Sequence, residues 1–415
     1  MLVGIVIAVL LAALLAGALV ALWPIPRPPL ASYAFVMGFP AGELSGQLLA
    51  VTVVVMAIGE GLGWPSGSLG ATSLALGCAS VLCYAVLLAG GLRARGEVRR
   101  SLEAVRGLHV AQPSGADGGW LRWWRTCLGA PVLRGPVRIV RDIPYADDGI
   151  RAHLLDVITP VGGAAGAPVM VYVHGGAWTI GSKRGQALPM LFELASRGWV
   201  CVSINYRLSP RATWPDHIVD VKRAIAWTKD HIGEHGGDAS RLLAISGGSA
   251  GGHLAALAAL TPNETAWQPG FESADTRLDA CVSLYGVLEM TGDPTMSGHL
   301  GRSLVKLLER SVMKTPLGSS RAVYEAASPI RRITADAPTF LVLQGTKDTL
   351  VHVGIARAFV ESFRSVSTSP IGYIELAGAQ HAFDLLCSPR TTATTRGIVA
   401  YLDALVAARA AKPAG

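Results

Sequence analysis

The 415-residue chain carries 36 Lys and Arg against 29 Asp and Glu, a net charge of +7, and 51% of its side chains are hydrophobic. The length admits one large domain with an addition, and the excess charge meets no nucleic-acid module, so a lipid surface accounts for it better than nucleic acid. Six cysteines show no pairing pattern or metal-ligand spacing, and without a phosphate-binding glycine loop or a His/Asp cluster no cofactor or metal is implied.

The addition stands at the amino terminus. Residues 2–22 hold no charged or strongly polar side chain and, as a helix, are long enough for about 30 Å of hydrocarbon. No Lys or Arg precedes the run and it exceeds the usual h-region, which disfavours a cleaved signal peptide. A less apolar stretch over 33–58 carries Pro40, Glu43 and Gln47; it is expected to span with a polar inward face, the alternatives being a re-entrant or interfacial course. A further apolar stretch covers 69–92. Arg27 follows the first run, Glu60 is the charge in the loop before the last, and Arg93, Arg95, Arg99, Arg100 and Arg106 crowd just beyond it. Three spans place Arg27 and that cluster on one side, which the positive-inside rule makes cytoplasmic, with the amino terminus outside; two spans would separate them. The expectation is a multi-pass membrane region over 1–106. An arm over 107–136 follows, in which Trp120, Arg122, Trp123, Trp124 and Arg125 suit a headgroup layer or, equally, cover the core of the next domain.

From 137 to 408 strand-like and helix-like runs alternate, the signature of a mostly parallel sheet covered by helices on both faces, an α/β class. Residues 168–173 read as a strand ending in His174-Gly175-Gly176-Ala177-Trp178. Strand 199–205 and an amphipathic helix over 216–232 follow. Residues 242–245 form a short apolar strand and 252–260 a Leu/Ala-rich helix, joined by Gly247-Gly248-Ser249-Ala250-Gly251. A serine on so sharp a strand-to-helix turn is pushed out of the sheet on a strained backbone, and tiny residues two before and two after avoid clashes. After strand 280–285 the rhythm breaks between 287 and 337, where Leu300, Leu304, Leu307, Leu308 and Val312 recur at helical spacing, a cap insertion able to reach over the serine or simply to pack on the sheet. Strand 339–343 leads to Asp348 and strand 371–376 to His381, both on loops at strand carboxyl ends.

Those positions define a chemistry. A serine hydroxyl needs a base within hydrogen-bond reach and a carboxylate to orient that base. Ser249, Asp348 and His381 occur in the order nucleophile, acid, histidine. His253 and His352 read as packing or surface histidines, Asp384 is too close in sequence to His381, and Glu375 lies within a strand. Backbone amides at Gly175 and Gly176, with that of Ala250 at a helix start, are expected to face the developing oxyanion.

The motifs His174-Gly175-Gly176-Ala177-Trp178, Asn205-Tyr206-Arg207-Leu208-Ser209-Pro210, Trp214-Pro215 with Asp220, the elbow, Gly345-Thr346-Lys347-Asp348 and His381-Ala382-Phe383 run in order over about 137–408. Together they resemble the hormone-sensitive-lipase-like branch of the α/β-hydrolase fold, with its bacterial carboxylesterases and lipases. The resemblance implies a serine esterase and carries the triad onto Ser249, Asp348 and His381. Many members have Asp before the nucleophile where Gly248 stands here, which leaves the subfamily, and ester against amide, open. The expected activity is membrane-anchored cleavage of small-molecule or lipid carboxylic esters. Acyl transfer or amide cleavage uses the same groups, and a non-catalytic ligand receptor is the reading from another class.

Overall fold

Uniformly apolar sequence builds the first helix. The computed structural model describes residues 2–27, 30–64, 67–111 and 136–411. Helix α1 (Leu2–Leu22) and helix α4 (Ser68–Glu103) are each long and apolar enough to cross a membrane. Between them the stretch expected as one segment is two helices, α2 (Leu30–Glu43) and α3 (Ser45–Gly61), bent by 80° at the break. Pro40 lies inside α2, where it withholds an amide, and Glu43 at its end is drawn out of the bundle to partners described below. Helix α4 packs against α1 and α3, and the Tyr84 hydroxyl donates to the Leu14 carbonyl at 2.9 Å.

The remainder is organised by eight strands: β1 (Val137–Pro144), β2 (Leu154–Pro160), β3 (Val169–Val173), β4 (Val200–Ile204), β5 (Leu243–Gly248), β6 (Ala280–Leu284), β7 (Thr339–Gly345) and β8 (Ile371–Leu376). They form one sheet in the order β1-β2-β4-β3-β5-β6-β7-β8, antiparallel from β1 to β4 and parallel from β4 onward. Every residue of β3 is buried, as its unbroken apolar run requires of a strand covered on both faces. Val169, Val171 and Val173 enter one core with α6 (Asp216–His231), α7 (Ala250–Leu260) and α10 (Val353–Val366). Met170 and Tyr172 enter the other with α5 (Leu188–Ser196) and α11 (Pro389–Ala410).

Helix α4 belongs to both parts of the molecule. Beyond its apolar half it runs on without a break, and Ala94, Val98 and Leu102 join Leu341, Ile374 and Leu402 in the second core. The cap insertion contains α8 (Gly301–Leu307) and α9 (Leu317–Ala326). The Trp/Arg segment 120–125 and Cys127 lie outside the described residues.

Candidate active site

Strand β5 ends at Gly248 and α7 begins at Ala250, so Ser249 turns alone between them, at φ 56° and ψ −121°. A non-glycine residue in that region stores strain, and surrounding structure must hold it. Its amide donates to the Leu284 carbonyl at 3.0 Å, tying the turn to β6. The neighbouring glycines are required by close approach: a Cβ on Gly251 would strike the carbonyls of Val173 and His174, and one on Gly247 the carbonyl of Gly251.

The loops after β7 and β8 bring Asp348 and His381 together, with His381 Nδ1 2.7 Å from Asp348 Oδ2. Three more donors converge on that carboxylate. Gln344 Nε2 reaches Oδ2 at 2.9 Å, and the amides of Leu350 and Val351 reach Oδ1 at 2.8 Å each. Gln380 Oε1 accepts from the amides of His381 and Thr349, fixing the two loops to each other.

The His-Gly-Gly turn departs in one detail from expectation. Gly175 donates its amide to Gln186 Oε1 at 2.7 Å, so that group is already committed. Among the described residues the amides of Gly176, Ala177 and Ala250 have no acceptor. Gly176, at φ 118°, is pressed against the Ile180 carbonyl and admits no Cβ. His174 stacks on Tyr206 and bonds through Nδ1 to the Gly175 carbonyl; burial pushes its imidazole down to about 4, so it is a neutral buttress of the turn.

The other candidates fall elsewhere. His253 is fully buried, accepts from Trp178 Nε1, faces the Ala327 carbonyl, and is held down to about 4 by burial. His352 caps α10, accepting from the Gly354 amide at 3.1 Å. Glu375 pairs with Arg357. Asp384 bonds not to His381 but to the Tyr285 hydroxyl. No group of three or more His, Cys, Asp or Glu among the described residues could hold a metal ion.

Several neighbours of the site carry no local sequence signal. Tyr285, at φ 40°, lays its ring 4.6 Å from the His381 ring, and a Cβ on Gly248 would lie 2.7 Å from its hydroxyl. Tyr285 therefore fills the space that a side chain at 248, just before Ser249, would need. Phe35 of α2 meets His381 edge-on at 5.8 Å, and Thr349 donates to the Ala31 carbonyl at 2.9 Å. A cavity of about 370 Å³ opens at Ser249. Its apolar wall is Val287, Leu300, Leu304 and Leu307 from the insertion with Val351, and Ala31 and Ser32 of α2 close one side.

The BD-FAE family matches residues 155–363. A probable carboxylic ester hydrolase of Mycobacterium tuberculosis, LipM, is 49% identical over 292 residues, 67% of this chain and 67% of its own length. The esterase LipQ of the same organism is 43% identical over 288 residues, 68% of this chain and 67% of its own. Among solved structures, a truncated carbohydrate esterase from gut microbiota superposes with a TM-score of 0.56 at 21% identity, covering 65% of this chain and 99% of that one. Inhibited esterase B from Lactobacillus rhamnosis gives 0.56 at 20%, covering 66% and 89%. At such identities the likeness is one of fold.

Proposed function

The chain belongs to the BD-FAE family, among the hormone-sensitive-lipase-like carboxylesterases of the α/β-hydrolase fold, and we propose that it cleaves carboxylic esters through Ser249, His381 and Asp348 at the face of a membrane. The observation that carries this reading is the 2.7 Å bond between His381 and Asp348 on the same sheet edge as a strained Ser249 that lines a cavity.

The proposed chemistry requires Ser249 Oγ to reach His381 Nε2, although no hydrogen bond joins the two among the described residues. Asp348 accepts from His381 Nδ1 and leaves Nε2 as the base. Ser249 Oγ gives its proton to Nε2 while attacking the acyl carbonyl. Negative charge grows on the carbonyl oxygen, where the amides of Gly176, Ala177 and Ala250 stabilise it; each donor is worth about 3 kcal/mol of barrier. The protonated imidazole then gives its proton to the departing alkoxide, leaving the acyl group on Ser249. Water repeats the sequence and releases the acid.

Membrane placement has its own support. The carboxyl-terminal ends of α1 and α4 both meet the hydrolase part: Lys347 Nζ donates to the Leu22 carbonyl and the Ala377 amide to Glu97. We read α1, α3 and α4 as crossing and α2 as lying against the hydrolase part; Arg27 and the arginines beyond 92 then fall on one side, and the positive-inside rule favours the cytoplasmic face for it. The 17 residues of α3 rise about 25 Å, within the range for a span.

The test is labelling of membranes with a fluorophosphonate, comparing the natural chain with Ser249→Ala. Labelling is expected to vanish and ester turnover to fall by roughly a million-fold. Labelling that persists at full intensity would move the nucleophile elsewhere.

A further inference from the structure

Next to the Ser249 cavity lies a second one, of about 340 Å³ and opposite character. Arg27, His299, Arg302 and Lys306 line it, with Ser303. No carboxylate pairs with Arg27, Arg302 or Lys306 among the described residues, whereas Arg184, Arg207 and Arg357 each have one. All four basic side chains are exposed, and cations without a carboxylate partner around a recess leave it positive and able to take an anion.

The two cavities share their walls. Helix α8 turns Leu304 and Leu307 to Ser249 and Arg302 and Lys306 to the cationic recess, and Ser303 lines both. The link from α1 does the same, with Arg27 on the cationic side and Ala31 and Ser32 on the other, joined by the bond from the Ala31 amide to the Arg27 carbonyl. An acyl chain held in the apolar cavity with its carbonyl at Ser249 thus has a cationic recess beside it. Arg27 follows α1 by five residues, which sets the recess at the level where headgroups lie.

We propose that the cationic recess is a headgroup subsite and that the substrate is a membrane-derived acyl ester carrying a phosphate. The apolar cavity takes the acyl chain, Ser249 meets the ester carbonyl, and Arg27, His299, Arg302 and Lys306 bind the phosphate. The proposal rests on Ser249 being the nucleophile. It differs from simple anchoring of basic residues on anionic lipid, because discrimination must persist with dissolved substrates where no bilayer is present.

The experiment uses the full chain in neutral detergent and two dissolved esters that differ by one group, 1-butyrylglycerol and 1-butyrylglycerol 3-phosphate. The ratio of their kcat/KM values is expected to favour the phosphate ester by at least about tenfold, the worth of one charge-assisted hydrogen bond, and to fall as salt is added. Arg302→Gln with Lys306→Gln, which keeps the aliphatic stems, is expected to bring the ratio about tenfold closer to one through the KM of the phosphate ester. A ratio near one in the natural chain, or one that the double variant leaves unmoved, overturns the subsite. Lysophosphatidate and monoacylglycerol in the same micelles form the second arm, and a preference confined to the butyryl pair overturns the lipid source. Turnover of both esters that survives Ser249→Ala would instead sink the parent reading, an outcome visible apart from the ratio.

Discussion

Two buried carboxylates stand near His381, and their surroundings set them apart. Asp348 accepts from four donors, among them the imidazole itself. Asp384 has one hydroxyl partner, Tyr285, and its Oδ2 has none among the described residues. Burial therefore pushes the Asp384 carboxyl above its ordinary value, although the Tyr285 bond works the other way. A carboxyl raised in the folded state stabilises fully below its unfolded value, and that contribution is lost as pH rises through the folded one. Asp384→Asn removes this loss, so its melting temperature relative to the natural chain is expected to be higher at pH 8 than at pH 4. The two positions also separate in catalysis. If His381 is the base, Asp348→Asn, which can donate to Nδ1 and so favours the tautomer with its proton on Nε2, is expected to lower kcat by about 10⁴-fold, and Asp384→Asn by less than about tenfold. Steady-state ester kinetics read both, and equal losses would reverse the assignment of the acid.

At the scale of elements, α2 is held against the hydrolase part at both ends. Its first turn meets Thr349, Phe35 meets His381, and Glu43 at its end pairs with Arg390 and accepts from Ser388 at 2.7 Å. The Glu43 and Arg390 side chains are 1% and 4% exposed, so neither charge has water as a substitute partner. Removing one partner of such a pair costs about 3–5 kcal/mol because the other is left buried and uncompensated. Glu43→Ala is accordingly expected to lower the melting temperature of the detergent-solubilised chain sharply. Glu43→Gln, whose single amide oxygen can replace only one of the two carboxylate oxygens that accept from Ser388 and Arg390, keeps one of these bonds and should lose less. Pro40, Glu43 and Gln47 are visible in the sequence as anomalies in an apolar stretch. The partner of Glu43 is Arg390, 347 residues away, and no local pattern announces that pairing.

For the molecule as a whole, the hydrolase part and the helical part share a core. Val98 and Leu102 of α4 join Leu341 and Ile374 in one core, so the last turns of a helix that begins in the apolar region pack with the hydrolase part. This union ties the placement of Ser249 to the placement of the helices. If α1, α3 and α4 cross with the amino terminus outside, a membrane-impermeant fluorophosphonate added to intact cells should leave Ser249 unlabelled, and permeabilisation should restore labelling. Labelling from outside would invert the topology.

The sheet was legible where sequence is locally decisive. Apolar runs over 168–173, 199–205, 280–285 and 339–343 fall on β3, β4, β6 and β7, because a strand covered on both faces needs little more than consecutive apolar residues. The elbow was legible because a sharp turn admits only tiny residues at Gly247 and Gly251, and the placement of Asp348 and His381 just beyond strands puts them on one edge. Composition alone also marked α1 and the first half of α4 as apolar helices. Other features depend on distant parts of the chain: the Tyr285 ring beside Gly248, Gln186 on the Gly175 amide, the break at Leu44 and the wall that α2 lends to the cavity. Each is a contact between residues that only the folded chain brings together. A sequence states its local preferences directly, whereas the occupant of a given cavity wall is fixed by the packing of all the elements at once.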